Sequence, residues 1–120
     1  MKVVIFTGIG GFGVNDVIAW HLILHNGWEV VESDDYERFH LNRRNKVFMK
    51  NEYFSSFWHD SFHLIDQWEL RDDPELTAAF EYWKPEEYKV IDLPDDIKEW
   101  YIDESDCGSE SIHEEHRSWH

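Results

Sequence analysis

Four glycines within six residues, at the end of an apolar run, are the part of this sequence best suited to chemistry. Residues 2–7 are predicted to form a buried strand, and Gly8, Gly10 and Gly13 then satisfy the pattern G-x-G-x-x-G. Glycines allow positive φ and bring bare backbone N–H groups close to a ligand, and a following helix N-terminus favours an anion. The pattern is typical of a dinucleotide-binding turn.

The predicted helix after this turn has clear start and stop signals. Asn15 is suited to be the N-cap of a helix over residues 16–25, and Gly27 follows where a left-handed glycine commonly ends a helix. The apolar stripe of this helix consists of Val17, Trp20 and Leu24. A second strand is predicted over residues 28–32, which completes the β-loop-α-β order of a dinucleotide-binding unit.

A second helix is predicted over Pro74–Trp83. Asp73 is its N-cap, proline occupies the first helical position, and Glu75 lies at the positive end of the helix dipole. Its apolar face consists of Leu76, Phe80 and Trp83. Residues 36–51, which precede this region, hold five of the 11 basic residues and have poor periodicity, so we expect a loop or an irregular strand pair there.

The end of the chain does not continue the pattern of a dinucleotide-binding domain. Strands are predicted over Tyr88–Leu93 and Glu99–Asp103, joined as a hairpin, and a last helical turn is predicted around Glu110–His116. A nucleotide-binding Rossmann domain needs further parallel β-α-β units. We therefore predict an α+β fold, with a small mixed or antiparallel sheet and two main helices, in a single domain spanning residues 1–120.

The composition limits the kinds of partner that the chain can bind. With 26 acidic and 11 basic residues, its formal net charge is −15, which repels nucleic acid and favours solubility or a basic protein partner. Neither a membrane span nor a signal peptide is expected, so we predict a cytoplasmic protein with no membrane partner. Aromatic residues make up 17% of the chain, more than one small core requires, which favours a homo-oligomer.

Histidine pairs are the obvious candidates for a metal site. His59 and His63 are four residues apart, and His113 and His116 are three apart, each pair with acidic neighbours. Such spacings arise by chance in a chain rich in histidine and acids, and zinc needs three or four converging ligands. We expect solvated surfaces there, with no metal, no catalytic residue and no bound cofactor.

Two arginines are conspicuous because they are the only ones in the last 70 residues. Arg71 and Arg117 both lie in acidic stretches, and a guanidinium offers a rigid fork for phosphate and a flat face for a base. The alternative is an ion pair with an acidic neighbour. The candidate partners for such a pair are Asp72, Asp73, Glu114 and Glu115.

Five motifs, in order, resemble those of a family of short phage and prophage proteins. They are Gly10-Gly11-Phe12-Gly13, Arg71-Asp72-Asp73-Pro74, Val90-Ile91-Asp92-Leu93-Pro94-Asp95-Asp96, Glu99-Trp100-Tyr101-Ile102-Asp103-Glu104 and Glu115-His116-Arg117-Ser118-Trp119. The motifs cover the N-terminal 20 residues and nearly all of residues 70–119, whereas residues 28–69 carry no matching motif.

This pattern is similar to the phage anti-Thoeris sponge proteins, which sequester cyclic ADP-ribose signals made by bacterial TIR proteins. The resemblance implies an α+β oligomer in the host cytoplasm that binds its nucleotide between subunits without turnover. It implies that Arg71 holds phosphate, that Arg117 stacks on the base and that Asp103 contacts the base or ribose. The other predicted ligand-binding residues are Gly10, Gly11 and Phe12 of the glycine turn.

Two other functions remain open at this point. An acidic protein of this size could inhibit a host defence complex by occupying its basic surface in the manner of a nucleic-acid mimic. A small nucleotide-dependent enzyme could instead use the turn over Gly8–Gly13. A binder needs no general base, and none stands out in the sequence, which favours the sponge over the enzyme.

Overall fold

The computed structural model describes residues 1–32, 44–50, 62–64 and 66–120, and these residues have the predicted α+β composition. The elements in chain order are β1 (Lys2–Phe6), α1 (Asp16–Asn26), β2 (Glu29–Glu32), β3 (Val47–Lys50), β4 (Phe62–Leu64), α2 (Pro74–Trp83), β5 (Tyr88–Asp92), β6 (Tyr101–Glu104), β7 (Glu110–His113) and β8 (Ser118–Trp119). The backbone contacts form two compact units. The terminal unit comprises residues 1–12 and 71–120, and the central unit comprises residues 13–70. The single domain over residues 1–120 stays a prediction.

Helix α1 of the central unit begins and ends as predicted. The Asn15 side chain accepts a 2.9 Å hydrogen bond from the Ile18 N–H, and Gly27 ends the helix with φ of 71°. The predicted apolar stripe is wrong, because the buried residues of the helix are Ile18, Ala19 and Leu22, whereas Val17, Trp20 and Leu24 are exposed. Apolar residues surround most of this helix, so periodicity cannot select its buried face.

The strands of the central unit form one small sheet. β2 pairs parallel with β3, and β3 pairs antiparallel with β4. The loop or irregular strand pair expected over residues 36–51 lies largely outside the described residues, but Val47–Lys50 is a regular strand. β1 pairs with β5 and not with β2, so the predicted β-loop-α-β segment does not form the parallel pair that a dinucleotide-binding unit requires.

Helix α2 of the terminal unit has the predicted bounds. The Asp73 Oδ1 atom accepts hydrogen bonds of 2.9 Å and 3.2 Å from the N–H groups of Glu75 and Leu76. The helix ends at Lys84, whose φ is 48°, directly before a proline. Of its predicted apolar face, Leu76 and Phe80 are buried, but Trp83 is 47% exposed.

The core of the terminal unit is built around β1. Val3 and Ile5 are fully buried in a cluster with Leu93 and Ile112. β1 pairs antiparallel with β5, with Val4 opposite Val90. The remaining strands form an antiparallel sheet in the order β6-β7-β8.

Two predictions for the end of the chain are wrong. The predicted hairpin over residues 88–103 does not form, because β5 pairs with β1 from the other end of the chain and β6 pairs with β7. The predicted helical turn around Glu110–His116 is strand β7 followed by the turn into β8. Glu110 and Ile112 are buried while the residues between and after them are less so, which is the two-residue alternation of a strand.

Candidate functional site

A buried ion pair between Arg71 and Glu110 lies at the centre of the terminal unit. The two terminal nitrogens of Arg71 each donate a 2.7 Å hydrogen bond to a different carboxylate oxygen of Glu110. Both side chains are 0% exposed. This is the bidentate geometry in which a guanidinium and a carboxylate interact most strongly.

Backbone groups of β1 complete the coordination of this pair. The Phe6 N–H donates a 2.8 Å bond to Glu110 Oε1, and Arg71 Nη1 donates a 3.2 Å bond to the Val4 carbonyl. The Val4 N–H in turn donates to the Arg71 carbonyl at 2.9 Å. The pair therefore connects β1 to β7 and to the segment that leads into α2.

The ring of Phe12 covers the Arg71 guanidinium. The guanidinium carbon lies 3.5 Å from the centre of the ring, which also contacts Phe80 and Tyr88 at centroid distances of 5.8 Å and 5.6 Å. The structure thus brings two predicted site residues together, but in the interior. In this arrangement Arg71 offers no guanidinium edge to an outside phosphate, so the predicted phosphate contact gets no support from the geometry.

The glycine turn packs against a second turn at residues 105–109. Gly10 and Gly11 have φ of 111° and 95°, and the Gly10 N–H donates a 2.9 Å bond to the Cys107 carbonyl. A Cβ on Gly108 would lie 2.5 Å from the Gly11 nitrogen. Gly13, the last glycine of the turn, does not have positive φ. The glycines permit a close approach of two backbone segments.

Cys107 in the second turn is exposed. Its Sγ atom lies 3.3 Å from the Ser105 hydroxyl, and this hydrogen bond, followed by one from the Ser109 backbone, lowers the pKa of the thiol below its ordinary value.

Arg117 lies at the surface of the terminal unit, clamped by two carboxylates. Its Nε atom donates a 2.7 Å bond to Glu114 Oε1, and its Nη1 atom donates a 3.2 Å bond to Asp96. Its guanidinium carbon is 5.5 Å from the ring centre of Trp119, and its side chain remains 38% exposed. Of the partners considered from the sequence, Glu114 is thus confirmed as an ion-pair partner of Arg117.

Hydrogen bonding and charge reinforce each other in this clamp. The pKa of the Glu114 carboxyl is lowered, first by the hydrogen bond from the Lys98 backbone N–H and to a smaller extent by the hydrogen bond from the Arg117 side chain. The pKa of Arg117 is raised, mainly by its hydrogen bond to the Glu114 carboxylate and to a smaller extent by its hydrogen bond to Asp96. Both groups are therefore charged at neutral pH, and their hydrogen bonds fix the orientation of the guanidinium plane.

An open groove of about 700 Å³ runs beside Arg117. Its lining residues are Asp96, Lys98, Glu99, Tyr101, Glu114, Glu115, His116 and Arg117. Lys98 supplies a donor for phosphate, Arg117 and Tyr101 supply flat faces, and the carboxylates can accept hydrogen bonds from sugar hydroxyls or an exocyclic amine. This mixture suits a ligand that carries phosphate, sugar and base together.

Asp103 lies on the outer face of the β6–β7 pair, next to this groove. Its register places it opposite Ser111, and Tyr101 opposite His113. The rings of Tyr101 and His113 stack with centroids 5.5 Å apart and planes at 21°. Because Tyr101 also lines the groove, it connects the surroundings of Asp103 to those of Arg117.

A serine, a histidine and an aspartate meet on this face without forming a catalytic relay. The Ser111 hydroxyl lies 2.7 Å from His113 Nε2, and the Asp103 carboxylate lies 4.0 Å from the same nitrogen. A relay requires the carboxylate on the other ring nitrogen, Nδ1, where it orients the imidazole. The arrangement therefore does not match the geometry of a serine hydrolase.

No protein-family model, curated protein or solved structure matches this chain. Within residues 1–32, 44–50, 62–64 and 66–120, no three histidine, cysteine or acidic side chains converge as metal ligands require. His59, which the sequence analysis considered together with His63, lies outside the described residues. The same ranges contain no helix with the length and hydropathy needed to cross a membrane.

Two residues that complete the interior of the terminal unit, Glu110 and Gly108, were not identified from the sequence. Glu110 alternates with Ile112 in β7, so a strand assignment would have placed it on the buried side. A buried acid then requires a cationic partner, and arginines are scarce in this half of the chain. Gly108 carried no comparable signal, because its close contact comes from the distant glycine turn.

Proposed function

We propose that this protein binds a nucleotide second messenger of the cyclic ADP-ribose type and holds it without turnover. The observation that carries the proposal is the half-exposed guanidinium of Arg117, fixed by two carboxylates at the edge of the groove that Tyr101 lines. The five-motif resemblance to phage sponge proteins supports the same ligand class. The groove volume of about 700 Å³ lies in the range of small-molecule sites.

The fixed orientation of Arg117 favours binding through its flat face. Glu114 and Asp96 occupy edges of the guanidinium, so a base can stack on the face without displacing either carboxylate. Lys98, also in the lining, can neutralise phosphate. Because the clamp orders Arg117 before the ligand arrives, less side-chain entropy is lost on binding.

The other predicted site residues take supporting roles in this proposal. Arg71 and Phe12 stabilise the interior, and Gly10 and Gly11 permit the packing of the 105–109 turn. Asp103 remains a candidate for contact with the base or ribose, since it is 68% exposed beside Tyr101. Pockets shared between subunits of a homo-oligomer are part of the proposal.

The replacement of Arg117 by alanine should weaken nucleotide binding by roughly ten- to a hundredfold, because stacking on a guanidinium contributes on the order of 1–3 kcal/mol. Arg117→Lys should restore little, since an ammonium has no flat face. Isothermal titration calorimetry with cyclic ADP-ribose and its isomers measures both. Arg44→Ala, which removes an exposed arginine of the central unit, is the matched control and should leave affinity unchanged. Equal affinity of wild type and Arg117→Ala would show that the groove beside Arg117 is not the nucleotide-binding site.

The second candidate is an acidic inhibitor that covers a basic surface of a defence complex. The concentration of carboxylates around the groove favours it, with Asp96, Glu99 and Glu115 on one surface of a chain whose net charge is −15. Binding of this kind weakens steeply with rising salt, whereas a small phosphate ligand held by few cations loses much less. A titration at two salt concentrations therefore separates the two functions.

A further inference from the structure

We propose that the outer edge of β5 accepts an extended basic segment of another protein as an added β-strand. This inference goes beyond nucleotide binding and concerns a different part of the terminal unit. It rests on the direction of the backbone groups of β5, on the hollow beside them and on the charge around them.

The hydrogen-bond pattern of the β1–β5 pair shows which backbone groups of β5 point outward. The Leu93 N–H donates to the Met1 carbonyl at 2.8 Å, and the Thr7 N–H donates to the Glu87 carbonyl at 2.7 Å. In an antiparallel pair, hydrogen-bonded and non-hydrogen-bonded positions alternate. Since Leu93 and Glu87 face β1, the backbone groups of Val90 and Asp92 face away from it.

The backbone groups of β1 that point away from β5 show the same alternation independently. The Val4 and Phe6 N–H groups, which belong to the alternate positions, donate to Arg71 and Glu110 and not to β5. Val4 is the register partner of Val90. Among the described residues, β5 pairs only with β1, so the Val90 and Asp92 backbone groups form an open sheet edge.

A hollow of about 450 Å³ adjoins this edge. Phe80, Pro85, Tyr88 and Val90 provide its apolar lining, and Glu81, Lys84 and Glu86 line the rest. In strand addition, backbone hydrogen bonds supply affinity while pockets take alternate side chains of the incoming segment. The hollow is placed to receive one apolar side chain of such a segment.

The charge around the edge selects a basic occupant over a second copy of this chain. Glu86 and Glu87 precede β5, Asp92 ends it and Asp95 follows in the next turn, and these four carboxylates outnumber the two lysines nearby, Lys84 and Lys89. An antiparallel copy of β5 would bring these acidic ends together, in a protein that already carries −15. A lysine- or arginine-rich strand meets opposite charge at both ends.

The test is hydrogen exchange on the isotope-labelled protein, measured by NMR, with a short peptide of alternating lysine and valine as the probe. In the free protein the Val90 and Asp92 amides should exchange rapidly, whereas the Lys89 and Ile91 amides are protected by β1. Saturating peptide should slow exchange at Val90 and Asp92 by about tenfold or more, through the hydrogen bonds of an added strand. Peptides with glutamate for lysine, or with methylated alternate backbone nitrogens, should produce no slowing.

Val90→Pro removes an outward donor without touching the ladder to β1, and proline is tolerated at such edge positions. It should weaken binding of the lysine–valine peptide by about fivefold, since each lost hydrogen bond contributes about 1 kcal/mol. Val90→Ile keeps both the outward N–H and an apolar side chain in the lining of the hollow, so the difference in affinity between Val90→Ile and Val90→Pro measures the lost donor. If Val90→Pro does not fold, the methylated peptide on wild type decides the question.

Three results would overturn the proposal. They are equal binding of the methylated peptide, protection of Val90 and Asp92 in the free protein at every concentration, and protection that rises with protein concentration. The last would assign the edge to a second copy of the chain.

Discussion

The replacement of Glu110 by glutamine should lower the free energy of unfolding by about 3–5 kcal/mol, the largest single effect that we expect in this protein. Glutamine fills nearly the same space but leaves the guanidinium of Arg71 buried at 0% exposure without its counter-charge. It also weakens the acceptor for the Phe6 N–H. Urea unfolding followed by tryptophan fluorescence measures the change.

Glu104 provides a matched control for this experiment. It lies opposite Glu110 in the β6–β7 register but is exposed, so Glu104→Gln should change stability by less than about 0.5 kcal/mol. A double replacement, Arg71→Met with Glu110→Leu, removes both charges and should recover much of the loss. Similar small losses for Glu110→Gln and Glu104→Gln would show that the Arg71–Glu110 pair does not stabilise the fold.

Gly108→Ala should destabilise the protein by roughly 2–4 kcal/mol, because two costs add at this residue. Its φ of 94° is unfavourable for any residue with a Cβ, and that Cβ would meet the backbone of Gly10 and Gly11 at 2.5–3.0 Å. Neither segment can yield without losing the hydrogen bond from the Gly10 N–H to the Cys107 carbonyl. The loss is measured by thermal unfolding.

Gly13→Ala separates this packing from a general intolerance of the glycine turn. A Cβ on Gly13 meets no atom within 4 Å, and its φ is not in the positive range. The substitution should change stability by less than about 1 kcal/mol. If Gly108→Ala were as well tolerated as Gly13→Ala, the two turns would not be in the close contact described.

Local signals in the sequence predicted the helices well. Asn15 and Gly27 bound α1, and Asp73 with Pro74 starts α2, because caps act through hydrogen bonds to residues two to five positions away. Strand pairing depends on distant residues, so β5 was identified as a strand but assigned the wrong partner. Its actual partner, β1, lies more than 80 residues earlier in the chain.

The candidate site was predicted only in part, because one of its ion pairs also depends on a residue distant in the chain. The scarcity of arginine drew attention to Arg71 and Arg117, but the sequence does not distinguish a buried guanidinium from an exposed one. Arg71 is buried because Glu110, almost 40 residues later, supplies its counter-charge. Arg117 pairs with Glu114, only three residues away, which is within the range of local inference.

Native mass spectrometry tests directly the proposed sequestration of a cyclic ADP-ribose signal without conversion. Protein purified from bacteria that produce such a signal should carry the mass of one intact nucleotide per site. Denaturation should release that nucleotide unchanged, and Arg117→Ala protein from the same cells should carry much less. Wild-type protein that emerges with no nucleotide, or that releases a linear hydrolysis product, would contradict the proposed function.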